Sequence, residues 1–166
     1  MINLKFFNIV LVLVFAATLS ACSESQPPAA GAKAAVPTKT PAKAQAPTRW
    51  YTQAHVQRGA TLYSQYCISC HGAEGQGTFN WKQRGANWKF PPPPLNGTAH
   101  TWHHPSRVLI KIIKEGTLAM QGSMPPWGQV LKDDDIAAVI ASFQNKWPDP
   151  IYAAWYEREM KSRGQK

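Results

Sequence analysis

Apolar positions fall into three different patterns along the chain. Residues 6–19 carry no charge and are almost continuously apolar, whereas residues 23–49 repeat Ala-Pro and Lys-Ala pieces with no periodicity. From residue 50 onward, stripes at helical spacing alternate with loops rich in Gly, Pro and Trp. The first stripe, Val56, Gly59, Ala60, Leu62, Tyr63 and Tyr66, predicts a helix ending just before Cys67. Gly59 inside it costs about 1 kcal/mol relative to alanine, a cost that close approach of another helix would offset. A second helix is marked by Pro105 near its start, Val108, Leu109, Ile112 and Ile113 on one face, and Gly116 beyond its end.

A third helix begins with Asp133 as N-cap and Asp134 and Asp135 in the first turn. Ile136, Val139, Ile140, Phe143 and Trp147 follow on one face, and Pro148 stops it. Past Pro150, the residues Ile151, Tyr152, Trp155, Tyr156 and Met160 suit a short helix packed on the domain. Nothing between these helices alternates like a strand. The span from Gly72 to Gly97 is longer than a plain connector in a compact domain, so it needs something to wrap.

Length and composition divide the 166 residues further. Lys5 followed by the apolar run Phe6–Leu19 reads as a signal peptide, since the run is too short to span a bilayer. Leu19-Ser20-Ala21-Cys22 resembles a bacterial lipobox, in which cleavage leaves a lipidated Cys22 as the new N-terminus. An ordinary secretory signal with an incidental cysteine is the alternative. The expected organisation is a signal peptide over 1–21, a lipid-anchored Ala/Pro/Lys-rich linker over 22–49, a folded domain over 50–148 and a C-terminal extension packed on it over 149–166. The linker cannot bury enough apolar area to offset its ordering entropy. Ser23 after the lipid cysteine favours sorting to the outer membrane of a Gram-negative host, facing the periplasm.

The formal net charge is +9, and removal of residues 1–21 takes away only Lys5. Nucleic-acid binding is not expected, because no helix-turn-helix, zinc-finger or RNA-binding signature and no dense basic run is present. Lys33, Lys39, Lys43 and Arg49 lie in the linker, where they keep it extended near anionic lipid.

The chemistry concentrates in Tyr66-Cys67-Ile68-Ser69-Cys70-His71-Gly72. Two cysteines and a following histidine serve covalent haem attachment: thiols at i and i+3 on a helical turn reach one edge of the macrocycle, and the next residue lies under the iron. A zinc site would want a second ligand pair, which the remaining histidines do not provide. A thioredoxin-like dithiol would want a preceding strand and an α/β pattern. An exported bare cysteine pair would also tend to oxidise. With Cys22 as anchor and Cys67 and Cys70 as thioethers, all three cysteines have a use.

A low-spin haem also needs a sixth ligand. Met124 in Gly122-Ser123-Met124-Pro125-Pro126-Trp127 is the leading candidate, because Pro125 drives Met124 to extended backbone and small Gly122 and Ser123 leave room for the macrocycle. Met120 and the histidines between 100 and 104 are the alternatives. Trp81, Trp88, Trp102 and Trp127 are candidates to line the crevice, Trp127 foremost. His100, His103 and His104 read as a surface turn.

With these motifs in view, residues 52–147 resemble a class I, monohaem c-type cytochrome. The resemblance implies an all-α fold of three to five short helices around one covalently bound haem c. It implies that the first and last helices cross closely, with Gly59 opposite Phe143 or its neighbours. A proline carbonyl, from Pro93 or Pro94, is expected to accept a hydrogen bond from the proximal His71, with Leu95 against the ring. The function implied is electron transfer without bond chemistry, between a redox donor and acceptor that meet the exposed haem edge, through lysines such as Lys82, Lys89, Lys132 or Lys146. The alternative is a haem subunit of a dehydrogenase complex, or a haem enzyme or sensor with a displaceable sixth ligand.

Overall fold

A computed structural model describes residues 46–164. The signal segment, Cys22 and most of the linker lie outside the described residues, as do the last two residues of the chain. The described part is all-α: α1 (Gln53–Tyr66), α2 (Ile68–His71), α3 (Ser106–Glu115), α4 (Asp133–Gln144) and α5 (Asp149–Gly164). Two 3-10 turns, His100–His103 and Leu118–Met120, sit in the connections. Among the described residues the one β-type pairing is an isolated bridge between Phe90 and Gly122.

The crossing of α1 with α4 organises the domain. A Cβ on Gly59 would stand 1.8 Å from the carbonyl oxygen of Ala138 and 3.0 Å from Cβ of Ser142. The helix that approaches Gly59 is therefore α4, at Ser142, the neighbour of Phe143, and most closely one turn earlier at Ala138. Ala138 and Ser142 are four residues apart on one face and small enough for backbones to meet. Phe143 lies on the next face and turns into the core, with its ring 6.0 Å from that of Trp147. Around it pack Leu109, Ile113, Leu131, Ile136, Val139 and Ile140.

Each helix end has an identifiable cause. At α1, Thr52 Oγ1 accepts from His55 N–H at 3.4 Å and His55 Nδ1 accepts from Thr52 N–H at 3.2 Å, a reciprocal cap. The N-cap of α4 is Lys132, one residue ahead of Asp133, because Asp135 reaches back to accept from the Lys132 N–H at 3.3 Å. All three aspartates then lie in the first turn, where the helix dipole favours them. No local side chain caps α3. Instead Glu159 on α5, buried in the interface, accepts from Ser106 N–H at 2.7 Å.

α5 has sixteen residues, longer than a short terminal helix. It buries Tyr152 and Trp155, and the Trp155 indole donates to the His104 carbonyl at 3.0 Å. The chain reaches α1 through a clasp on the α4–α5 junction: Arg49 donates to the Trp147 carbonyl at 3.1 Å, pairs with Asp149 at 2.8 Å and stacks over Tyr152 at 3.9 Å.

Candidate functional site

The cysteine motif is shaped where α1 ends. Cys67 leaves helical geometry while its N–H still bonds the Tyr63 carbonyl, and a fresh turn, α2, starts directly behind it. His71 N–H bonds the Cys67 carbonyl at 2.9 Å, and Gly72 at φ 77° then redirects the chain. Tyr63 Oη donates to the Gly72 carbonyl at 2.9 Å, tying the end of the turn to α1. Cys67 and Cys70 thus flank one turn, both as free thiols, the first half-buried and the second exposed.

Burial, and secondarily Cys70, push the Cys67 thiol up to about 11. Among the described residues, no group of three or more His, Cys, Asp and Glu side chains is placed to hold a metal ion.

His71 is buried, and its Nδ1 lies 3.0 Å from the Pro93 carbonyl. A carbonyl can only accept, so Nδ1 carries the proton and Nε2 keeps its lone pair. Burial holds the imidazole below its ordinary range, against the opposing effect of the Pro93 bond. A neutral imidazole with a free Nε2 is the form that ligates iron.

Between the two prolines the sequence left open, the geometry selects Pro93. The Pro94 carbonyl accepts instead from Thr101 Oγ1 at 2.9 Å. Two glycines make this possible. Gly77 bonds back to the His71 carbonyl at 2.8 Å, and a Cβ on it would lie 2.5 Å from the Pro93 carbonyl carbon. Gly75 accepts from the Leu95 N–H at 2.7 Å, which brings Leu95 beside the motif. Sequence reading missed Gly75, Gly77 and Thr101; the Gly-x-Gly spacing four residues after His71 was the available signal.

Met124 is half-buried and packed on the core. Its N–H donates to Thr117 Oγ1 at 3.1 Å and its carbonyl accepts from Thr117 N–H at 2.9 Å, closing a loop over residues 117–124. Gly122 serves this closure, since a Cβ there would stand 2.2 Å from Thr117 Oγ1. Met120, by contrast, is 58% exposed on the outer turn of the loop, and Met160 is 48% exposed on α5.

Trp127 is half-buried, with its ring 5.3 Å from that of Tyr66 and its backbone N–H donating to the Ile113 carbonyl. The other tryptophans divide. Trp88 is 77% exposed, while Trp81 stacks on His100 at 4.7 Å and Trp102 packs against His103 at 3.9 Å. His100 and His104 are not a simple surface turn: both are half-buried, and burial first, then the neighbouring histidines and, for His100, Lys82, push them down. His100 Nδ1 is buried without a hydrogen-bond partner.

The residues present fit a haem. Cys67, Leu95, Met124, Trp127 and Tyr66 are apolar, pack on the core and remain only partly covered. His71 offers a directed lone pair, and His100 a buried polar atom in want of a partner. The two shallow grooves on the surface, along α5 and along the α1–α4 crossing, include neither His71 nor Met124.

Residues 54–141 match the family described as cytochrome c oxidase, cbb3-type, subunit III. That span exceeds half the chain, takes in His71 and Met124 and stops short of α5. Searches of curated proteins and of solved structures return no match.

Proposed function

The chain belongs to this family of c-type cytochromes and binds one covalent haem c, and from that premise we propose that it is a membrane-tethered electron carrier. The haem supplies the one-electron change, and the polypeptide sets its potential, burial and access. In this reading Cys67 and Cys70 hold the macrocycle by thioethers, while His71 Nε2 and the Met124 sulfur are the axial ligands. Leu95 and Trp127 exclude water from the pocket. The observation that carries the reading is the 3.0 Å bond between His71 Nδ1 and the Pro93 carbonyl, which fixes the tautomer and the ring orientation and raises the basicity of Nε2. Thioether sulfur is soft and favours ferrous iron, so a histidine–methionine pair gives a higher potential than two histidines would.

Cys22, lipidated after removal of residues 1–21, anchors the domain through the linker over 22–49, outside the cytosol and with the outer membrane preferred. Donor and acceptor meet the haem edge. Lys82, Lys89 and Lys132 are exposed and serve that contact, whereas Lys146 is paired with Glu74 at 2.8 Å. Weak, salt-sensitive association follows from such a surface.

The test is optical. The oxidised protein should show the weak far-red band of sulfur–iron ligation, and Met124→Ala should abolish it and lower the potential. If Met124→Ala leaves both unchanged and Met120→Ala removes them, the ligand assignment is wrong. High-spin spectra without that band would sink the carrier reading. The family description favours a second reading, a haem subunit of a larger oxidase. Stoichiometric copurification in mild detergent, unaffected by salt, would select it over the carrier.

A further inference from the structure

Residues 78–92 leave the cysteine turn and return to it, closed where Thr78 N–H donates to the Pro92 carbonyl at 2.9 Å. Pro92 adjoins Pro93, whose carbonyl holds His71. The returning limb of the segment, two residues before Pro92, docks on the methionine loop. Phe90 N–H donates to the Gln121 carbonyl at 2.9 Å, Ser123 Oγ donates to the Phe90 carbonyl at 3.0 Å, and Phe90 pairs with Gly122 as the isolated bridge.

Arg84 ties this junction together. Its Nη1 donates to the Trp88 carbonyl at 2.9 Å, its Nη2 donates to Gln121 Oε1, and its guanidinium lies 4.7 Å from the Phe90 ring centroid. Two non-glycine residues with left-handed backbone, Trp88 at φ 60° and Gln121 at φ 61°, both stand here. Such conformations persist only where surrounding contacts over-determine them, and Arg84 bonds both residues.

One segment therefore joins the two turns that carry the axial-ligand candidates. We propose that residues 78–92 form a strap that fixes the methionine loop relative to the His71 turn, with Arg84 as the positioning residue that keeps Met124 on the iron against competing ligands. This rests on Met124 as the sixth ligand. Arg84 does not touch the haem in this account; it acts through Gln121 and the loop. Lysine cannot replace it, because an ammonium lacks the planar fork that bonds Trp88 and Gln121 while stacking on Phe90.

The experiment is titration of the oxidised holoprotein with imidazole, following loss of the far-red band. Arg84→Ala and Ser123→Ala should keep the band without imidazole. Both should lose it at concentrations lower than wild type, about tenfold lower for Arg84→Ala, the effect of one charge-assisted hydrogen bond. Arg84→Lys should recover only part of the difference. Glu159→Ala, which loosens α3 at its end remote from the methionine loop, is the control for general destabilisation and should titrate as wild type does. The strap is refuted if both strap variants titrate like wild type, or if Glu159→Ala shifts as far as Arg84→Ala. Should Arg84→Ala not mature, Ser123→Ala, which removes one hydroxyl, decides alone. A failure of the ligand assignment is separable: wild type would then lack the band, or Met124→Ala would retain it, and the strap proposal would fall with it.

Discussion

Replacing Gly59 by alanine sets helix propensity against packing, with opposite signs. Alanine favours a helix interior over glycine by about 1 kcal/mol, so an α1 free of neighbours would gain stability. The new Cβ, however, would lie 1.8 Å from the Ala138 oxygen and 2.4 Å from its carbonyl carbon. Ordinary contact between heavy atoms needs roughly 3.5 Å, so α1 and α4 would have to part by about 1.7 Å. The obstacle is backbone, which cannot rotate aside as a side chain can. Overpacking costs typically about 1–3 kcal/mol, and a backbone obstacle belongs at the upper end. The net expectation is a loss of about 2 kcal/mol in urea denaturation of the holoprotein followed by far-ultraviolet circular dichroism. Ala60→Gly, at an exposed neighbouring position, should lose about 1 kcal/mol from propensity alone. A Gly59→Ala protein more stable than wild type would refute the crossing at Ala138.

Two further outcomes follow from single contacts. Glu159→Ala removes the cap on Ser106 N–H and leaves that donor without its charged acceptor, so thermal denaturation should show a loss of about 2 kcal/mol. The Asp135 carboxyl is held below the usual carboxylate range, first by the hydrogen bond from Arg58 and then by the Lys132 N–H. A depressed value contributes stability that is present above the unfolded value and lost as pH falls through the folded one. Wild type should therefore exceed Asp135→Asn in stability at neutral pH, with the gap closing as pH falls below 3.8. A gap that persists or widens in acid would show that the Arg58–Asp135 contact carries no such linkage.

The helices and the cysteine turn were legible because their signals are local. Apolar stripes mark α1, α3 and α4, and Cys67, Cys70 and His71 are fixed by spacing within one turn. What escaped depends on contacts distant in sequence. In Pro91-Pro92-Pro93-Pro94 four identical residues offer no register, and the choice of Pro93 is made by Gly77 and Thr101 from either side. The partner of Gly59 was sought at Phe143 or its neighbours, which takes in Ser142 but not Ala138, the small residue one turn earlier where the backbones come closest. The segment over residues 78–92 left no periodic trace, since its bonds to Gln121 and Ser123 join isolated residues more than thirty positions apart. The His100–His103 turn looked like surface because its cover comes from Trp81 and, through His104, from Trp155.

Preference for Met124 over Met120 came from its local sequence alone, Pro125 behind it and small Gly122 and Ser123 ahead. The structure adds a physical difference: Met124 packs on the core with both backbone groups held by Thr117, and Met120 stands in solvent.

The central claim is that Cys67 and Cys70 carry the haem. Trypsin cuts after Arg58 and Lys82, releasing a peptide over residues 59–82 that contains both cysteines and His71. Mass spectrometry of this peptide from protein matured in a host with cytochrome c assembly should find the mass of one haem added and neither cysteine open to alkylation. A haem-free peptide with two alkylated thiols, or with a Cys67–Cys70 disulfide, would contradict the account.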